Sequence, residues 1–177
     1  MNLPNKLTIA RMLVVPIFIV VLMLEYYVIS AVIFILASLT DMFDGMIARK
    51  YNLVTNFGKI MDPLADKILV VAALVCLVQL GDVPAWMVII ILAREFTVTG
   101  LRTAAAAQGI VIAAGTTGKI KTILQMIAIP ALLLQNWPFY YIGFPFAQIM
   151  LWASLIMTVI SGVEYVVKNR NTFSMEE

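Results

Sequence analysis

Asp41, Asp44, Asp62 and Asp66 place four carboxylates within a short stretch of a chain that is otherwise strongly apolar, with Gly45, Ala48, Arg49 and Gly58 set among them. Acidic side chains next to a membrane interior are costly, and a cation or a proton is needed to account for them. On a helix, residues three, four and seven apart share a face. Asp41, Asp44, Gly45 and Ala48 therefore form one stripe, and Asp62 and Asp66 form a second. Where the stripes converge, four ionised acids repel and their pKa values rise unless positive charge intervenes. Two divalent cations supply that charge, and an all-oxygen donor set favours Mg2+ or Mn2+. Paired metals are a known way to clamp the attacking and leaving oxygens of a phosphoryl displacement. Gly45 lets a ligand approach the backbone closely, and Arg49 offers a planar fork for phosphate oxygens. Taken singly, Asp62 ahead of Pro63 also reads as a helix cap. Gly45 and Ala48 read as close-packing residues, and Asp41 or Asp44 as a salt-bridge partner for Arg49 or Lys50. The eight positions together ask for more than those separate roles.

The elements that hold these residues follow from composition. The chain has 177 residues, 63% hydrophobic and 12% charged, with a mean hydropathy of +1.00. That is too little polar surface to cover a globule in water, so an all-α integral membrane protein of one domain, residues 1–177, is expected. Spans of about 20 residues allow roughly six transmembrane helices, and apolar segments run over about 7–24, 27–47, 64–80, 86–107, 120–134 and 144–167. The run after Lys6 and Arg11 has the outline of a signal peptide; it is read as an uncleaved first helix. The absence of histidine leaves carboxylates and lysine for acid–base work, and Cys76, the single cysteine, allows no intrachain disulfide.

Charge sets the orientation. The lysines and arginines fall on, or lean toward, one side of a six-span layout, whereas the opposite turns hold Glu25 and Asp82. The excess of positive charge marks the cytoplasmic side, which puts both termini there and turns the aspartates toward the cytoplasm. Tyr26, Tyr27, Trp86, Trp137, Tyr140 and Tyr141 suit the aromatic belt of the far interface. No Arg- and Ser-rich transit segment precedes the first span, so a bacterial cell membrane is the expected location.

The run Asp41-x2-Asp44-Gly45-x2-Ala48-Arg49-x8-Gly58-x3-Asp62-x3-Asp66 resembles, without departure, the signature of the CDP-alcohol phosphatidyltransferases. Members of that family move a phosphatidyl or similar group from a CDP-linked donor to an alcohol and release CMP. The resemblance implies that Asp41, Asp44 and Asp62 are metal ligands. It implies that Asp66 both touches the second metal and acts as general base on the acceptor hydroxyl. Gly45 and Arg49, with Thr55 nearby, are implied to hold the CDP moiety. The opening Asn5, Thr8 and Arg11 resemble the family's lead-in over the nucleotide, although Asn5 and Thr8 serve equally well as helix caps.

Within the family, Arg94-Glu95-Phe96, Arg102 and the run from Gly115 to Thr122 are most similar to phosphatidylglycerophosphate synthases. An acceptor such as glycerol 3-phosphate brings its own phosphate, so cations are needed beyond those facing the donor. Arg94 and Arg102 lie eight apart, roughly on one face of the fourth span. Lys119 and Lys121 open the fifth, where a helix N-terminus also favours an anion. Lipid head groups are the other natural partners of those lysines, and an ion pair with Glu95 is the other reading of Arg94. CDP-diacylglycerol, glycerol 3-phosphate and membrane lipids are the implied partners, with a homodimer and no nucleic acid. Inositol phosphate, serine or a lipid alcohol as acceptor, and a non-enzymatic ion-binding or transport protein, are the rival readings.

Overall fold

A computed structural model describes the backbone of residues 3–50, 56–107, 109 and 115–169, and the side chains of 9–40, 67–106, 109 and 115–169. Within these residues the chain forms six α-helices, one 3-10 turn and no strand. They are α1 (Leu3–Met23), α2 (Tyr27–Lys50), α3 (Asn56–Gln79), α4 (Ala85–Ala107), α5 (Thr116–Leu133) and α6 (Phe146–Asn169), with the 3-10 turn at Phe139–Ile142. Each apolar segment coincides with one helix. The largest difference lies between α2 and α3, where hydropathy points to a polar connection over 48–61. Helix continues to Lys50 and resumes at Asn56, so Pro63 falls inside α3 rather than in its first turn. Hydropathy marks the length that lipid can solvate, whereas the backbone hydrogen-bond ladder runs on into polar surroundings.

The helices alternate in direction, which separates the molecule into two ends. At one end, Val28 at the start of α2 meets Leu134, Trp137, Tyr140 and Tyr141 of the α5–α6 connection around a cavity of about 610 Å3. Gln148 Nε2 donates to the Asp82 carbonyl there (3.4 Å), tying α6 to the α3–α4 turn. The Trp86 and Trp152 rings lie 5.7 Å apart near this end. The connection itself is organised by Asn136, in the left-handed region at φ 63°. Its amide donates to the Phe144 carbonyl (2.7 Å), and its Oδ1 accepts from the Ala147 N–H (2.9 Å), satisfying a donor of the first turn of α6 that the helix leaves open.

Packing is most extensive between α5 and α6, then between α1 and its neighbours α3 and α2. Phe18, Leu22, Phe34, Leu74, Leu77, Met87, Ile91, Ile129, Leu133 and Leu151 are fully enclosed and draw on all six helices. The buried face of α6 carries small hydroxyl residues. Ser154 donates to Leu151 O, Thr158 to Ser154 O and Ser161 to Thr158 O, so these three hydroxyls are satisfied within α6 and leave its buried face narrow enough for close packing.

The outward faces are apolar as well. Leu13, Val20, Val32, Ile89, Ile123, Ile156 and Val163 are exposed on five different helices. Apolar side chains both inside and outside give the bundle a surface better matched to lipid than to water. By length and composition, α6 is the one helix among the described residues that can cross a membrane; Ile9–Met23, Tyr27–Thr40 and Lys67–Gln79 are shorter apolar stretches.

Candidate functional site

The helical backbone carries Asp41, Asp44, Gly45 and Ala48 near the C-terminal end of α2, and Asp62 and Asp66 in the first half of α3. Both stripes therefore belong to the end opposite the aromatic turns. The side chains of Asp41, Asp44, Gly45, Ala48, Arg49, Gly58, Asp62 and Asp66 lie outside the described residues, as do those of Asn5 and Thr8; Thr55 lies outside them altogether. Arg11 is described: it is buried on α1 and lines a mostly apolar groove of about 340 Å3 between α1 and α2, together with Val14, Ile33 and Thr40.

Lys67, the residue after Asp66, leads from the second stripe into a charged cluster. Its ammonium donates to Thr99 Oγ1 of α4 and stands 4.0 Å from Glu95 Oε2. Glu95 is the centre of this cluster. One of its oxygens, Oε1, accepts from Lys121 Nζ of α5 at 2.6 Å and from Arg94 Nη1 at 2.8 Å. Three helices thus converge on one carboxylate, each bringing a cation. Lys121 is almost completely buried, and an ammonium so enclosed is tolerated because its charge is matched at contact distance.

Arg94 also faces a second space. With Arg102, Gly115, Thr117, Gly118, Ser161, Glu164, Tyr165, Lys168 and Asn169 it lines a cavity of about 260 Å3 bounded by α4, the start of α5 and the last turns of α6. The Arg102 guanidinium stacks over the Tyr165 ring at 5.5 Å, a contact that holds its plane. Thr117 Oγ1 donates to Glu164 Oε2 at 2.7 Å, joining α5 to α6 across the rim. Gly115 precedes α5 in extended conformation and gives it no side-chain cap, so the helix presents uncapped first-turn N–H groups beside the cavity. Among the described residues, Arg94 Nε, Arg102 Nε and Tyr165 Oη are buried without a hydrogen-bond partner. Surplus donors, a helix N-terminus and three cations are the groups a small oxyanion pairs with, set here beside the carboxylate of Glu164.

Of the four cations expected at an acceptor phosphate, Arg94 and Arg102 line this cavity, and Lys119 and Lys121 are not among the described residues that line it. The ammonium of Lys121 is taken up by Glu95, one layer behind Arg94. Lys119 is exposed in the first turn of α5. Lys168 and Tyr165 were not singled out as site residues by the sequence. Their spacing from Ser161 (i, i+4 and i, i+7) is a helix-face signal that shows its meaning only once α6 is known to cover α4.

The sequence profile of the CDP-alcohol phosphatidyltransferases matches residues 1–160. A Bacillus subtilis (strain 168) protein named CDP-diacylglycerol–glycerol-3-phosphate 3-phosphatidyltransferase is 51% identical over 95% of this chain and 95% of its own length. A Rickettsia bellii protein of the same name is 43% identical over 93% of each. A probable phosphatidylglycerophosphate synthase of Mycobacterium tuberculosis is 40% identical over 94% of this chain and 81% of its own.

Proposed function

The chain belongs to the CDP-alcohol phosphatidyltransferase family, and from that membership we propose that it transfers the phosphatidyl group of CDP-diacylglycerol to glycerol 3-phosphate. The products are phosphatidylglycerol phosphate and CMP. The names of its relatives support the reaction. The observation that carries the choice of acceptor is the cationic cavity of Arg94, Arg102 and Lys168 at the start of α5. A neutral alcohol has no use for it, whereas an acceptor with its own phosphate does.

Asp41, Asp44, Asp62 and Asp66 form an all-carboxylate donor set that suits two Mg2+ or Mn2+ ions. Bound there, the ions would offset the pyrophosphate charge and stabilise the leaving oxygen of CMP. Asn5, Thr8, Arg11, Gly45, Arg49 and Thr55 hold the CDP-diacylglycerol head group, with its acyl chains in the bilayer. Arg94 and Arg102 hold the acceptor phosphate and so orient its 1-hydroxyl. Lys121 acts from behind, through Glu95, and Lys119 draws the dianion in from solvent. Asp66 removes the hydroxyl proton, the oxygen attacks the lipid-side phosphorus, and the bond to CMP breaks. Positioning and charge compensation supply most of the rate. The protein works as a homodimer in the bacterial cell membrane, with six spans, both termini in the cytoplasm and the site facing it.

The test is CMP release by purified protein given CDP-diacylglycerol and Mg2+, with glycerol 3-phosphate, inositol phosphate or serine supplied separately. Release with glycerol 3-phosphate alone, abolished by EDTA, is expected. Release with another acceptor keeps the chemistry and overturns the acceptor. No release from folded protein with any acceptor overturns the enzyme reading in favour of ion binding.

A further inference from the structure

Arg94 reaches two places at once, and the shape of α6 decides how. Its Nη1 is tethered to Glu95 Oε1 at 2.8 Å, while its guanidinium also borders the cavity shared with Arg102. Between backbone and guanidinium, the aliphatic stem crosses α6 directly over Gly162. A Cβ built on Gly162 would lie 3.0 Å from Arg94 Cγ and 3.9 Å from its Cβ. That is tighter than nine in ten real Cβ contacts, so the neighbour must give by a few tenths of an ångström, and the first atom in the way is the middle of the stem rather than a free end. The side chain is 14% exposed, and its far end passes Gly118, where an added Cβ would stand 3.5 Å from Nη2. Held at the backbone, tied at Nη1 and flanked by α5 and α6, the stem can yield only by moving the guanidinium. Gly162 has no positive φ to justify glycine, and glycine inside a helix costs about 1 kcal/mol relative to alanine. The missing side chain is therefore explained by Arg94 and not by the backbone.

We infer that Gly162 is a positioning residue for acceptor recognition: by leaving room for the Arg94 stem, it sets where the guanidinium meets the phosphate of the acceptor. This rests on the reading of the Arg94–Arg102 cavity as the acceptor site. Enzymes that hold a reacting group through a planar fork lose heavily from displacements of an ångström or less. Alanine at 162 shifts the fork by a few tenths of an ångström and leaves the helix intact.

The experiment is a double-mutant cycle on steady-state kinetics, using Gly162→Ala, Arg94→Ala and the two combined, in the full-length protein in detergent micelles. Gly162→Ala is expected to raise KM for glycerol 3-phosphate about tenfold, with KM for CDP-diacylglycerol unchanged and the protein still folded, read as a cooperative melt and a monodisperse peak in detergent. Arg94→Ala removes Cγ and the clash with it, so adding Gly162→Ala should bring no further loss. Equal losses from Gly162→Ala in both backgrounds, or no loss in the wild-type background while Arg94→Ala still raises KM, would overturn the role of Gly162 and leave the acceptor site standing. An unchanged acceptor KM in Arg94→Ala itself would overturn both.

Discussion

Glu95 shows how a single carboxylate gathers cations from three helices. Its Oε1 takes two charge-assisted bonds, one from Lys121 and one from Arg94, and Oε2 faces Lys67. Without that carboxylate, three cations from α3, α4 and α5 would repel across a space of low dielectric; with it, they pack. Removing one partner of a buried pair leaves the other charge uncompensated, at about 3–5 kcal/mol. Glu95→Leu is accordingly expected to lower the yield of folded protein, read as loss of the monodisperse peak on size exclusion in detergent. At Asp66 the expectation is the opposite: Asp66→Asn should abolish CMP release, because the amide cannot take the acceptor proton, while circular dichroism and melting stay near wild type. Near-normal turnover would remove Asp66 as the base.

At the scale of elements, the helices could be read from apolar length alone, and all six coincide with predicted segments. What length could not give is where helix continues through polar sequence, as it does from Asn56 into α3. The aspartate pattern stands out in the sequence because its members are close together and recur at helical spacing; their side chains lie outside the described residues. The partner of Lys121 was not, since Glu95 lies 26 residues away on another helix. Gly162 was invisible for the same reason: nothing in the sequence near it announces that Arg94 passes over it. Polar residues in the turns are similarly mute until their partners are seen. Asn136 reads as an ordinary loop residue, yet it bridges the Phe144 carbonyl and the Ala147 N–H. Asn136→Ala is expected to destabilise the protein by about 1–2 kcal/mol, seen as a lower melting temperature in detergent with the KM for either substrate unchanged.

For the whole molecule, charge and aromatic residues divide the two ends. The cavity of Arg94 and Arg102 and the ends of α2 and α3 that bear the aspartates share one end, and Trp137, Tyr140 and Tyr141 occupy the other. With the first end in the cytoplasm, a cysteine at Tyr141 should react with a membrane-impermeant maleimide in intact cells. A cysteine at Lys119 should react only after permeabilisation; the reverse pattern would invert the orientation. The same division has an optical side. The three tryptophans of the chain, Trp86, Trp137 and Trp152, are all exposed and sit toward the aromatic end. With that end set in lipid, brominated lipids in the leaflet should quench indole emission, and ligands added at the opposite end should leave it unchanged.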